Sequence, residues 1–146
     1  MFALVFTHTT YIWMLHELDL IRTLLGGEGL VSERLFPMTL REKQSLFVLF
    51  VAFLIGEIHA QGYEATFGET YRRKGVGRDW SLHRKRLAID INLFKKGKYL
   101  TKTEAHKRFG LYWESLGKTY DVPLAWGGRF KKKDGNHYSF SHGGIQ

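Results

Sequence analysis

The segment Leu87–Phe94, LAIDINLF, constrains the fold of this 146-residue chain more than any other. Its odd-numbered residues are large and aliphatic, whereas Asp90 and Asn92 occupy even positions, so a strand here has one apolar and one polar face. Asp90 lies between two isoleucines that should draw the strand into the core, and an unpaired buried carboxylate is costly. The segment therefore predicts a half-buried strand and a partner for Asp90, either a metal ion or a nearby arginine.

Two residue pairs have the spacing of a helix capping box, Thr39 with Glu42 and Thr101 with Glu104. The first pair predicts a helix that runs to about Ala60 and ends at Gly62, and it contains the apolar run LFVLFVAFLIG. These eleven residues rise about 16 Å as a helix, roughly half of a bilayer core, so we expect a core helix and no membrane span. The second pair predicts an amphipathic helix that ends at Gly117.

Short strands complete the pattern. Tyr63–Tyr71 is predicted to be a strand, KKGKY a hairpin turn, and the section from Ala125 onward two short strands around a basic turn. Helices mixed with hairpin-joined strands predict an α+β fold, a small antiparallel sheet with packed helices. A further helix is predicted at Tyr11–Leu25, and His106, in the first turns of the second capped helix, is expected to be solvated.

The charge and the absence of cysteine limit the classes of function. With 22 basic and 14 acidic residues the net charge is +8, which indicates an anionic partner such as nucleic acid, a membrane surface or a cell-wall polymer. Residues 72–108 alone hold 13 Lys/Arg and 3 Asp/Glu, a local net of +10. Without cysteine, a disulfide framework, a Cys-based zinc finger and a thiol nucleophile are excluded, so a metal site must use His, Asp or Glu.

Two of the seven histidines have neighbours that indicate chemistry. His83 enters the strand that carries Asp90, and His137 ends the sequence DGNH before another predicted strand. Two His and one Asp are a ligand set that zinc uses when a fourth position is left for water. The spacing alone leaves open the alternative that Asp90 pairs with an arginine.

At residues 81–90, SLHRKRLAID resembles the S-x-H-x-x-G-x-A-x-D motif of the zinc D-alanyl-D-alanine peptidase family. This family includes D-Ala-D-Ala carboxypeptidases and dipeptidases and the L-alanyl-D-glutamate endopeptidases used as phage endolysins. DGNH resembles its second motif, and the YR of GETYRR places Arg72 at the family arginine. The resemblance covers about Thr39 to Gly144, and AWGGRF followed by DGNHYSF is similar to the small phage members. The chain departs from the pattern at Arg86, where the motif has glycine, and at Asp134, where several relatives have Glu.

The resemblance implies the α+β fold of these peptidases and one Zn²⁺ per chain, held by His83, Asp90 and His137. It implies that Asp134 accepts a proton from the zinc-activated water and later delivers it to the leaving amine. Arg72 would bind the substrate and stabilise the developing oxyanion. Ser81 is expected to orient His83 or to contact the substrate.

The function that this resemblance favours is zinc-dependent hydrolysis of peptidoglycan stem peptides by a phage or prophage endolysin of the L-alanyl-D-glutamate type. A D-Ala-D-Ala carboxypeptidase is the alternative within the same chemistry. A basic nucleic-acid- or wall-binding module without catalysis is the alternative of another class, supported by aromatic residues interleaved with the basic stretch: Trp80, Phe94, Tyr99 and Phe109. Such a module has no need of the metal constellation, so we expect a peptidoglycan peptide substrate, no stable nucleic-acid partner and a monomer.

Residues 1–37 precede the resemblance and are interpreted as an N-terminal extension to a peptidase domain at residues 38–146. The extreme N-terminus lacks a basic region and a small-residue cleavage site, so we expect synthesis in the cytoplasm without a signal peptide and action on the wall after release. We hypothesise that residues 1–37 are dispensable for zinc binding and hydrolysis. The alternative is that the predicted helix Tyr11–Leu25 covers the core.

Overall fold

The computed structural model describes residues 38–76 and 78–146, and within them two helices pack against one face of a five-stranded antiparallel sheet. The elements in chain order are helix α1 (Leu40–Ala60), strand β1 (Glu64–Phe67), a 3-10 helix (Leu82–Lys85), β2 (Ala88–Lys95), β3 (Lys98–Leu100), α2 (Thr103–Thr119), β4 (Leu124–Trp126), a second 3-10 helix (Gly127–Arg129) and β5 (His137–Phe140). The strand order is β1-β2-β5-β4, and β3 pairs with the far end of β2. The predicted α+β class is confirmed.

Helix α1 begins where the capping box predicts. The Glu42 N–H donates to Thr39 Oγ1 (3.3 Å), and the Thr39 N–H donates to Glu42 Oε2 (2.7 Å). Gly62, with φ +72°, turns the chain from α1 into β1, as predicted. By length and composition α1 is the one helix in the described ranges that could cross a membrane. Its inner face packs in the core through six buried residues: Leu46, Phe47, Phe50, Val51, Leu54 and Ile58.

Strand β2 is the centre of the sheet and has the predicted alternation. Ile89, Ile91 and Leu93 are buried toward the helices, whereas Asp90 and Asn92 lie on the other face. Strand β1 is shorter than the predicted Tyr63–Tyr71 because regular pairing ends at Phe67. Two further hydrogen bonds nevertheless carry the chain alongside β2, from the Gly68 N–H to Asp90 O (2.7 Å) and from the Asp90 N–H to Glu69 O (2.9 Å).

Helix α2 differs from the prediction at both ends. Its N-cap is Lys102, whose ammonium cannot accept a hydrogen bond, so the predicted capping box of Thr101 and Glu104 is wrong. The chain leaves β3 at Leu100 and is still extended at Lys102, with φ −81° and ψ 138°, which delays the first turn. The helix then continues past Gly117, where it was predicted to end, and ends at Thr119. Gly117 lies inside the helix, where it allows close packing against the chain at Val122 and Leu124. A Cβ there would lie 2.9 Å from the Val122 carbonyl oxygen.

His106 is buried, with 2% of its surface exposed, so the prediction that it is solvated is wrong. It lies on the inner face of α2, with Nε2 3.3 Å from Leu100 O and Nδ1 3.5 Å from the Tyr138 hydroxyl. Burial lowers the pKa of its imidazole, although the contact with Leu100 and the charge of Asp134 act in the opposite direction. His106 thus packs beneath β5 as a neutral core residue. The predicted helix Tyr11–Leu25 and the proposed N-terminal extension lie outside the described residues.

Candidate functional site

The register of the sheet brings the two sequence motifs together. Asp90 on β2 is paired directly with His137 on β5, in an antiparallel ladder that also pairs Ala88 with Ser139. His83 lies on the 3-10 helix just before β2, rather than on the strand as predicted. The three side chains meet on the face of the sheet opposite the helices, because Asp90 shares the polar face of β2.

The donor atoms of these three residues converge on one point. His83 Nε2 lies 3.2 Å from His137 Nδ1 and 3.4 Å from Asp90 Oδ1, and His137 Nδ1 lies 3.1 Å from Asp90 Oδ1. Burial raises the pKa of the Asp90 carboxyl, but hydrogen bonds from the His137 and His83 rings outweigh burial and hold that pKa below its usual value. The partners of Asp90 are therefore two histidines, and the alternative of an arginine partner does not hold.

These residues fit a zinc ion. Zinc bonds of about 2.0–2.1 Å place the corners of a tetrahedron roughly 3.3 Å apart, and the three separations in the structure are 3.1–3.4 Å. Two imidazole nitrogens and one carboxylate oxygen also match the ligand types of a site that keeps a fourth position for water. The other ring nitrogen of His83, Nδ1, is buried without a hydrogen-bond partner among the described residues.

Arg72 lies beside this centre and is held by Glu69, a residue that the sequence analysis missed. Arg72 Nε donates to Glu69 Oε1 (2.7 Å) and Nη2 donates to Oε2, which makes a two-pronged ion pair. Glu69 Oε2 is also 3.9 Å from His83 Nε2. The hydrogen bond from Arg72 lowers the pKa of the Glu69 carboxyl, and the same contact raises the pKa of Arg72. The signal in the sequence was the glutamate three residues before the arginine in GETYRR.

Asp134 is exposed in the turn that leads into β5, and its side chain is outside the His83–Asp90–His137 group. The backbone of this turn is fixed: the Asp134 N–H donates to Gly127 O (2.9 Å), and the His137 N–H donates to Asp134 O (3.2 Å). Gly127 leaves no room for a side chain, since a Cβ would lie 2.3 Å from Asp134 O and 2.9 Å from His137 Cβ. The DGNH spacing therefore keeps the backbone of Asp134 next to that of a proposed ligand.

Ser81 and Arg86 lie at the two ends of the 3-10 helix that carries His83. Ser81 is buried, and its carbonyl oxygen accepts the Arg84 N–H (3.1 Å), so its visible contribution is to begin this helix. Arg86 ends it in the left-handed region, with φ 53° and ψ 38°. This conformation favours glycine and explains why the motif that SLHRKRLAID resembles has glycine at that position. The Arg86 side chain lies over the Tyr71 ring, 5.1 Å from its centre.

Comparisons with known proteins agree with this placement. Residues 74–140 match the family described as D-alanyl-D-alanine carboxypeptidase, and the match includes all three proposed ligands and Asp134. The solved L-Ala D-Glu endopeptidase ChiX of Serratia marcescens is 18% identical, with a TM-score of 0.46 over 53% of this chain, and this chain spans 66% of that protein. A search of curated proteins finds no match. The chain is therefore similar to this peptidase family over residues 74–140, a segment that contains both motifs, and the sheet joins these motifs in one centre.

Proposed function

We propose that this protein is a zinc-dependent peptidase that cleaves the stem peptides of peptidoglycan, as an endolysin of the L-alanyl-D-glutamate type. The observation that carries the proposal is the convergence of His83, Asp90 and His137 within the segment that matches the peptidase family. The similarity of AWGGRF and DGNHYSF to small phage members favours the endolysin type. We also propose that the protein acts on the cell wall after release from the cytoplasm.

In this proposal the metal is held by His83, Asp90 and His137, and when bound it makes water nucleophilic near neutral pH. Asp134 would act as the general base, accepting a proton from the attacking water and returning it to the leaving amine. Glu69 has a carboxylate oxygen 3.9 Å from His83 Nε2, but Arg72 engages both Glu69 oxygens and lowers the pKa of that carboxyl, which makes it a poor proton acceptor. We therefore assign the general base to Asp134, on the resemblance of DGNH to the family's second motif.

Arg72 has a directional role in this mechanism. Its contact with Glu69 uses Nε and Nη2, so Nη1 is left to donate to the carbonyl oxygen of the bond that is cut. The positive charge of the guanidinium is largely balanced by Glu69, and its contribution is a hydrogen bond of fixed direction. The wider basic segment at residues 72–108, with a local net of +10, suits the carboxylates of stem peptides.

The experiment that tests the function is mass spectrometry of purified peptidoglycan digested with the zinc-loaded protein, with a chelator-treated sample beside it. Fragments with a new D-glutamate amino terminus are expected, and they disappear on chelation. Release of D-alanine instead identifies the carboxypeptidase alternative. If the wall is left intact and a chelator-insensitive complex with nucleic acid forms, the non-catalytic binding module is correct.

We further propose that residues 38–146 suffice for zinc binding and hydrolysis. All the proposed site residues lie in this part of the chain, and the capping box of α1 begins at Thr39. Expression of residues 38–146 should therefore give a soluble protein with the zinc content and turnover of the full chain. Aggregation or inactivity of the truncated protein, beside a soluble and active full chain, would show that residues 1–37 belong to the fold.

A further inference from the structure

A row of polar and aromatic side chains leads away from the metal ligands along the outer face of the sheet. Asn92 and Phe94 lie on the same face of β2 as Asp90, since alternate residues of a strand share a face. The register places Thr66 of β1 opposite Asn92 and Tyr99 of β3 opposite Phe94. These four residues, Thr66, Asn92, Phe94 and Tyr99, are called the outer strip. From Asp90 to Phe94 the strip extends about 13 Å at the usual rise of a strand.

The outer strip is internally ordered and open to solvent. The Tyr99 hydroxyl donates to Asn92 Oδ1 (3.0 Å), and Asn92 Nδ2 donates to Thr66 Oγ1 (3.3 Å). The Tyr99 and Phe94 rings are stacked, with centres 5.1 Å apart and planes at 30°. Tyr99 is 52% exposed, so one face of its ring is supported by Phe94 and much of the rest of the side chain is accessible. Both helices pack on the opposite face of the sheet. A Cβ at Gly68 would lie 3.1 Å from Asp90 Cβ, so the absence of a side chain there leaves the surface between the outer strip and Asp90 open.

A rigid, exposed aromatic ring beside amide and hydroxyl groups is suited to a sugar. A pyranose ring presents flat C–H faces that pack on an aromatic ring, and its hydroxyl and acetamido groups exchange hydrogen bonds with groups such as Asn92 and Thr66. We propose that the outer strip binds the N-acetylmuramic acid residue to which the stem peptide is joined, with Tyr99 as the stacking surface. This inference rests on the proposed function and extends its substrate from a peptide to a peptide with its sugar.

The length of the strip fits cleavage close to the sugar. In the stem, one L-alanine and a lactyl group separate the sugar ring from the L-alanyl-D-glutamate bond, which is roughly 7 Å at about 3.5 Å per extended unit. When the bond lies at the metal ligands, that span places the near edge of the sugar ring level with Asn92, whose side chain is hydrogen-bonded to the Tyr99 hydroxyl. For a bond that ends in D-alanine, the sugar is several residues farther away and extends past the strip. The outer strip and the endopeptidase assignment therefore support each other.

The test is calorimetric titration of the full chain with N-acetylmuramyl-L-alanine, which is a cleavage product and so requires no turnover. Tyr99→Ala should weaken binding by about tenfold or more, a change that a single lost stacking contact can produce. Tyr99→Phe keeps the ring and should bind within about threefold of the unchanged protein. Leu111→Ala, which removes a comparably exposed side chain on α2, is the matched control and should bind normally. Equal affinity in Tyr99→Ala and the unchanged protein, or no binding by the unchanged protein, overturns the proposal.

A parallel assay separates this inference from the proposed function. Hydrolysis of a sugar-free L-Ala-D-Glu peptide should be unchanged in Tyr99→Ala, whereas kcat/KM on the muramyl peptide should fall about tenfold. Inactivity of the unchanged protein on both substrates contradicts the proposed peptidase function, while the titration still decides whether the sugar binds. An oligothymidylate serves as the nucleic-acid probe. If it displaces the muramyl ligand and its binding requires Tyr99, the outer strip is a nucleic-acid site and the sugar proposal is overturned.

Discussion

The proposed metal ligands and the groups around them are held in different ways. Asp90 and His137 are a directly paired couple in the ladder of β2 and β5, so the sheet itself sets their separation. Arg72 and Asp134 lie in connecting segments, where Arg72 is oriented by the side chain of Glu69 and Asp134 by its backbone alone. The separation of Asp90 and His137 is therefore set by the sheet, whereas Arg72 and Asp134, here called the rim, lie outside the sheet, and Arg72 depends on one side chain. The two regions should respond differently to substitution.

Removal of a ligand tests the first region and should have the largest effect. His137→Ala and Asp90→Ala remove one of three donors, and we expect loss of bound zinc and of all measurable hydrolysis. Elemental analysis of protein expressed with zinc checks the first result, and peptidoglycan digestion checks the second. His59→Ala, at an exposed histidine on α1, should keep one zinc per chain. Absence of a bound divalent metal in the unchanged protein would remove the basis of the comparison.

Asp134→Asn tests the rim without touching the ligands. The amide cannot accept the proton, so hydrolysis should fall by about 10²–10⁴-fold, while zinc content and the unfolding transition stay as they are. Asp121→Asn is a matched control, because Asp121 is exposed, lies after α2 and has a positive φ that asparagine tolerates. Turnover near that of the unchanged protein in Asp134→Asn would assign the base to another group.

Glu69→Ala tests whether the rim depends on one side chain. We expect a fall of about tenfold in kcat/KM with unchanged zinc content, because Arg72 loses the partner that orients it. Arg72→Ala should cost more alone than in the Glu69→Ala background, and this non-additivity separates a positioning role from a structural one. Glu64→Ala, at an exposed position of β1, is the control. Additive effects of the two substitutions would mean that the ion pair contributes nothing to turnover.

The pH dependence of the free energy of unfolding tests His106, which packs beneath β5 on the side of the sheet opposite the proposed ligands. The folded protein holds the pKa of His106 below the unfolded value of 6.5, so at acid pH the unfolded chain binds more protons. The stabilising contribution of neutral His106 is therefore complete above pH 6.5 and is lost as the pH falls through the lower, folded-state pKa. Denaturant unfolding between pH 7.5 and acid should show a steeper loss of stability for the unchanged protein than for His106→Gln. Parallel curves for the two proteins would show that His106 does not titrate between the states.

Arg86→Gly should have the smallest effect. Relief of the left-handed conformation is worth about 1–2 kcal/mol, and the greater freedom of unfolded glycine and the lost contact with Tyr71 offset most of it. The midpoint of thermal unfolding should therefore move by only a few degrees, with hydrolysis unchanged. A large loss of activity would show that Arg86 belongs to the functional rim.

The sequence predicted which three residues converge, His83, Asp90 and His137, but it did not predict the contact of Arg72 with Glu69, for a physical reason. The alternation of LAIDINLF fixes which face Asp90 occupies, and the motif residues name its partners, so the sheet needed only to pair β2 with β5. The partner of Arg72 is not part of either motif, and its contact depends on how the chain bends after Gly68. The fold class, the residues that converge and the start of α1 were thus predictable from the sequence, whereas the Glu69 contact was not.

Helix α2 shows a second limit. Thr101 and Glu104 have capping-box spacing, but the chain that leaves β3 at Leu100 is still extended at Lys102, so the helix begins one residue later than the local signal predicts. The burial of His106 was available from the sequence, because it shares a helical face with Phe109 and Trp113 at spacings of three and seven residues. The prediction placed His106 in solvent because histidine is polar, although its position on this helical face indicated the core.

Asp90 and His137 are 47 residues apart in the chain, and β3, α2 and β4 lie between them. A metal ion bound to both would close that loop in the same way as a disulfide, in a chain with no cysteine. In the chain-entropy description, a cross-link that closes a loop of this length removes about 4 kcal/mol of freedom from the unfolded state. Unlike a disulfide, this cross-link is indifferent to redox conditions and is opened by a chelator. The stability of the folded protein would then depend on the free zinc concentration rather than on the oxidation state of the chain.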